Sequence, residues 1–231
     1  MRRTIYNTLG CAAMLGTMLA CQGLGLVGVE EAFLDTSLEN KGVDAGSPEV
    51  PEAPTASAMC VEYCDEITTF CTGPNQQYID RAQCLAVCAA LPEGLEGSSS
   101  NDATCRHENS LNVRYAAGSE LPAFCLAAGP TGGGVCGTEC EAYCALMDAI
   151  CTEEAAYESR YQNVEDCLEE CPTLPVSPET YAASDPAIAD GGHLQCRIYH
   201  VTSAAVVTPG EHCRHAFGLA ICNDEGGFIY E

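Results

Sequence analysis

Eighteen cysteines in 231 residues constrain this chain more than any other feature, because sixteen of them fall into two copies of one pattern. The first copy opens with Cys60-Val61-Glu62-Tyr63-Cys64, reaches Cys71-Thr72, and continues through Tyr78, Cys84-Leu85, Cys88, Leu91-Pro92, Cys105-Arg106, Cys125, Ala128 and Cys136. The second opens with Cys140-Glu141-Ala142-Tyr143-Cys144, reaches Cys151-Thr152, and continues through Tyr161, Cys167-Leu168, Cys171, Leu174-Pro175, Cys196-Arg197, Cys213, Ala216 and Cys222. A pattern repeated with its Tyr, Leu-Pro and Cys-Arg landmarks in register is the mark of a duplicated unit. Each copy holds an even number of cysteines, so every sulfur in it can be paired within the copy. Only Cys11 and Cys21 stand outside.

The spacings select helices. Cys60, Cys64 and Cys71 lie at i, i+4 and i+11, within about 40° of one another on a helical wheel, and Cys84 and Cys88 repeat the i, i+4 step. Pro74 stands between the two pairs, where a hairpin has to turn, and Leu91-Pro92 and Leu174-Pro175 end the second helices. Thr138 with Glu141 forms a capping box ahead of the second copy's first helix. In an antiparallel hairpin, Cys64 with Cys84 and Cys60 with Cys88 share a midpoint at residue 74, and Cys144 with Cys167 shares one with Cys140 and Cys171. Nested bridges are therefore the favoured pairing. The remaining Cys71, Cys105, Cys125 and Cys136, with Cys151, Cys196, Cys213 and Cys222, are expected to tie a third helix, 103–117 or 194–207, onto each hairpin in an order that spacing does not fix. The CxxxC…CxxxC segments resemble the helical-hairpin scaffold of plant α-hairpinins over about 30 residues of each copy, a resemblance that implies a fold and no activity. The expected fold class is mostly α: two tandem disulfide-stapled repeats, each a helical hairpin plus a third helix.

A core of ordinary kind would be thin, since Trp is absent and aromatics are 6% of the chain. Covalent staples are the usual substitute, and they belong to oxidising compartments. The amino end agrees. Arg2 and Arg3 precede an uncharged apolar stretch to Ala20 that is too short and Gly-broken for a comfortable membrane span, as in a cleaved export signal. Its last residues, Met18-Leu19-Ala20-Cys21, resemble the lipobox of bacterial prolipoproteins, with Met18 where Leu is usual. The resemblance implies lipidation of Cys21, membrane attachment through that anchor and, with Gln22 following, the outer membrane or cell surface of a Gram-negative bacterium. Residues 21–59 carry seven acidic side chains against Lys41 alone and end in a Pro/Gly/Ala-rich run, the composition of a disordered tether, with a short helix conceivable at 29–38. The organisation read from sequence is thus a signal at 1–20, a tether at 21–59, repeat 1 at 60–136 and repeat 2 at 137–231. Tandem Cys-rich lipoproteins of myxobacteria and similar bacteria look alike in signal and general style.

Charge bears on partners. Of nine basic residues, Arg2 and Arg3 leave with the signal, so seven remain against 33 acidic ones, a net charge of −26. Nucleic acid would be repelled. A basic protein or a glycan suits this surface.

Chemistry-bearing motifs are few. CxxC, CxxCH, GxSxG, HExxH, GxxxxGK[ST] and a strand-linked GxGxxG are all missing, so no cofactor and no enzymatic activity are expected. Histidine is unevenly placed: His193, His200, His212 and His215 all lie in the second copy. His200, His212 and His215 offer imidazole nitrogens of the kind that hold Cu or Zn. Residues 223–227, Asn-Asp-Glu-Gly-Gly, are oxygen-rich but lack the alternating ligands of a Ca²⁺ loop. The leading expectation is a non-enzymatic, membrane-anchored binding or structural module, and the alternative is a metal-binding lipoprotein that uses these histidines.

Overall fold

The computed structural model describes residues 56–151 and 161–223, all within the compact unit Val50–Glu231. The signal, Cys21, most of the tether with its 29–38 segment, and residues 224–227 of the oxygen-rich loop lie outside the described residues.

Eight α-helices and no strand are found among the described residues. The first copy contains α1 (Ala58–Phe70), α2 (Arg81–Ala90), α3 (Ala103–Val113) and α4 (Glu120–Ala128). The second contains α5 (Glu139–Cys151), α6 (Val164–Glu170), α7 (Leu194–Ala204) and α8 (Pro209–Ala216). Six of the eight helices, all but α4 and α8, begin where a side chain takes up orphan amides. Ser57, Asp80, Asp102 and Asn163 cap α1, α2, α3 and α6, and in α5 Thr138 Oγ1 accepts from the Glu141 amide while the Glu141 carboxylate accepts from the Thr138 amide. Because α1 starts at Ala58, residues Ala58 and Met59 belong to the helix and not to the tether.

The sulfurs pair in the same order in both copies. Cys60–Cys88 and Cys64–Cys84 staple the first hairpin, and Cys140–Cys171 and Cys144–Cys167 the second. The order that spacing left open is Cys71–Cys125 with Cys105–Cys136, matched by Cys151–Cys213 with Cys196–Cys222. Thus the end of each first helix is joined to a fourth helix, and each third helix to the segment after that fourth helix.

The fourth helix is where the structure departs from expectation. A single helix over 103–117 or 194–207 is cut short at Val113 or Ala204, and α4 or α8 follows. Gly118, at φ +57°, allows the chain to turn back in the first copy, and Pro209 at the first position of α8 fixes the second. The apolar residues of α4, Glu-Leu-Pro-Ala-Phe-Cys-Leu-Ala-Ala, show no 3.6 period, so periodicity carried no signal of it.

Both fourth helices are closed from inside. Tyr63 Oη donates to the carbonyl of Ala128 at 2.5 Å and lies 2.7 Å from Tyr78 Oη, and Tyr143 Oη donates to the carbonyl of Ala216 at 2.8 Å beside Tyr161. Arg106, fully buried, donates from Nε to Gly129 O at 3.0 Å and from Nη2 to Pro130 O at 3.3 Å. Arg197 is fully buried at the equivalent place, where a Cβ on Gly218 would stand 2.1 Å from its Nη2. Tyr63, Tyr143 and Arg106 are therefore helix-end partners, taking up carbonyls at and just beyond the last turn that have no partner within the helix.

The copies pack on each other through α2 against α5 and α7. Gln83 Nε2 reaches Thr202 and Ser203, Ala183 N donates to Gln76 O at 2.6 Å, and Ser184 Oγ donates to Gly73 O at 2.7 Å. The segment after the second hairpin thus straps the turn of the first.

Candidate metal centre

In the second copy α7 and α8 are closely packed neighbours, and Cys151–Cys213 ties α8 to α5. His212 and His215 flank Cys213 at i, i+3 on α8 and so share a face. That face meets His200, one turn beyond Cys196 on α7. His200 Nδ1 lies 2.9 Å from His212 Nδ1 and 3.3 Å from His215 Nδ1. One nitrogen from each of the three rings lies within 4.8 Å of the others. The three imidazoles pack edge-to-face and stacked, with centroids 4.6 to 6.1 Å apart. His200 and His215 are buried and His212 half-buried.

The tautomer of His200 follows from its other nitrogen. Nε2 is 3.1 Å from the carbonyl of Ala189, which can only accept, so Nε2 carries the proton and in the neutral ring Nδ1 presents a lone pair to the other two histidines. A backbone carbonyl orienting the far nitrogen of an imidazole is the usual support behind a metal-binding histidine. Burial, above all, pushes the His200 pKa down to about 4, against a smaller opposing pull from Ala189, and the neighbouring histidines push the same way. His212 and His215 are lowered too, first by burial. All three rings are therefore neutral near pH 7, the form that ligates metals.

The sign of the resulting pH dependence is fixed. An unfolded chain protonates His200 near pH 6.5, whereas the fold resists until about pH 4, so stability is whole above pH 6.5 and is lost as pH falls toward 4. The loss expected from this one ring in metal-free protein is on the order of 2–3 kcal/mol. Urea unfolding at pH 7 and pH 4.5, compared between the parent and His200→Asn, measures it: the variant should lose distinctly less stability on acidification, and equal losses would refute the assignment.

Other candidate residues are placed elsewhere. His193 caps α7, its Nδ1 accepting from the Cys196 amide at 3.0 Å as Asp102 Oδ1 does for Cys105 in the first copy. His107 stands 3.4 Å from Glu62 on the first copy's surface. Cys196 and Cys222 have sulfurs within 4.8 Å of a His200 nitrogen, but they are bonded to each other and offer no thiolate. Sequence reasoning did not find the Ala189 carbonyl, because backbone support leaves no mark in residue identity.

The first copy provides an internal comparison. By the shared Cys105/Cys196 and Cys125/Cys213 positions, Asn109 stands where the second copy has His200, Phe124 where it has His212, and Ala127 where it has His215. Asn109 Nδ2 donates to the Cys105 carbonyl and lies 3.3 Å from Cys136 Sγ. The same scaffold is thus built without a single imidazole at these places, so the fold does not require them.

Residues 31–139 match the BfoA family C-terminal domain. The matched stretch covers all of the first copy and ends at the first residue of α5, so His200, His212 and His215 lie beyond it. No curated protein and no solved structure matches the chain significantly.

Proposed function

We propose that this chain is an exported, non-enzymatic module, anchored to the outer membrane through lipid on Cys21, whose second copy holds one transition-metal ion on His200, His212 and His215. The observation that carries the metal reading is the convergence of three neutral imidazoles at positions where the duplicated scaffold otherwise holds Asn109, Phe124 and Ala127. Metal–nitrogen bonds of about 2.0–2.1 Å place ligand nitrogens on the order of 3.3–3.6 Å apart, and the observed 2.9 and 3.3 Å require an opening of only a few tenths of an ångström. A set of nitrogens suits Zn or Cu and does not suit Ca²⁺ or Mg²⁺, which take oxygen.

Export is supported by the sixteen paired cysteines, a state that reducing cytoplasm does not sustain. The acidic surface favours a basic protein or a glycan over nucleic acid as a macromolecular partner. Metal analysis of the native protein tests the central claim. One Zn or Cu per chain is expected, falling below 0.1 (about tenfold) when His212 and His215 are replaced by Phe and Ala. A metal-free native protein that takes up neither ion on titration would refute it. Intact mass of the mature amino terminus, with diacylglycerol on Cys21, tests the anchor separately.

A further inference from the structure

We infer that the centre is selective for monovalent copper, a deduction that rests on the three-histidine site proposed above. The first argument is charge. His200, His212 and His215 are neutral donors, and among the described residues the sulfurs grouped with them, those of Cys196 and Cys222, are consumed in a disulfide. Among the described residues no carboxylate joins the cluster; Asp190 and Glu211 act on the rings only through their charge. The described residues therefore contribute no anionic ligand to an ion whose two innermost ligands are 4% and 8% exposed. The cost of removing an ion from water grows with the square of its charge, so a divalent ion loses about four times as much hydration free energy here as a monovalent one. Zn²⁺ in buried centres is ordinarily accompanied by thiolate, carboxylate or bound hydroxide, which offset that cost.

The second argument is ligand number. Zn²⁺ completes a tetrahedron, and the protein offers three nitrogens, one of them already held rigid by the Ala189 carbonyl. Cu(I) is satisfied by two or three nitrogens and needs no fourth ligand in a buried site. The disulfide beside His200 is compatible with this assignment: with its sulfurs already oxidised, the neighbourhood holds no thiol for copper to oxidise or to bind in place of imidazole.

The test uses the full mature chain with its disulfides intact. Cu(I), kept reduced by ascorbate under nitrogen so that no thiol is introduced, is titrated against bicinchoninate, and Zn²⁺ is titrated in parallel against a chromophoric zinc chelator. We expect one Cu(I) per chain, held at least a hundredfold more tightly than Zn²⁺. The variant His200→Asn/His212→Phe/His215→Ala, which carries the residues of the first copy, should keep its helical circular dichroism and lose the copper. Zn²⁺ bound as tightly as Cu(I), or copper held only as Cu(II), would overturn the selectivity and leave the three-histidine centre standing. Failure to bind either metal, or binding unchanged in the triple variant, would overturn both.

Discussion

Reduction of the eight disulfides at 25 °C and neutral pH is expected to abolish the helical circular dichroism in a single cooperative loss. The bridges close segments with sequence separations of 20 to 62 residues. In the chain-entropy description a bridge of that span contributes about 3 to 4 kcal/mol by restricting the unfolded chain. Nested loops are not independent, so the sum is smaller than eight such contributions, but the removal of three or four is already comparable to the whole stability of an ordinary domain, about 5–15 kcal/mol. The buried set gives little to resist this. Among the described residues cysteine is its commonest member, followed by small alanines, with ten Val, Leu or Ile, five tyrosines, Met147 and one phenylalanine, Phe217. Retention of more than half the helical signal in excess phosphine reductant would show that the apolar core alone sustains the fold.

The second large effect is expected at Arg106. Its guanidinium is fully buried and donates to the carbonyls of Gly129, Asp102 and Pro130 and to Asn101 Oδ1. Desolvation is the main influence on it and lowers its pKa, while Tyr78, Tyr63 and Asp102 oppose that shift. Arg106→Met keeps the volume of the stem and removes every donor, leaving several acceptors in a dry interior with nothing to accept. The expected cost is about 3–5 kcal/mol, in the range measured when one side of a buried polar network is deleted. Thermal or urea unfolding of the oxidised variant reads this directly. A loss under 1 kcal/mol would mean that the carbonyls are served by water and that the arginine is only a filler.

The cysteine spacing made the hairpins legible. An i, i+4 step in each arm and a common midpoint favour two antiparallel helices with nested bridges, because that register brings both pairs to bridging distance. The third helices were legible through Cys105-Arg106 and Cys196-Arg197, although their ends were read too far along the chain. The fourth helices were hidden, because what holds them lies far away in sequence: a disulfide and a tyrosine hydroxyl in both copies, and in the first a buried guanidinium as well. A segment such as α4 has no polar face to betray it. The histidines were visible as a cluster of residue type, but their convergence depends on how α7 packs on α8, a tertiary contact, with Cys151–Cys213 holding α8 on α5. The supporting carbonyl of Ala189 comes from a loop that no pattern singles out.

All eight bridges begin and end within the same copy; none joins the copies to each other. On the export route proposed above, a polypeptide delivered amino end first presents every partner of the first copy's eight thiols before Cys140 emerges. Oxidation can run to completion on the leading half while the trailing half is still being threaded, and no wrong linkage across the halves has to be undone. Once both are closed, what joins them besides the main chain is packing, hydrogen bonds such as those of Gln83 to Thr202 and Ser203, and the strap over residues 73–76, so the duplication behaves as two separately locked units leaning on one another.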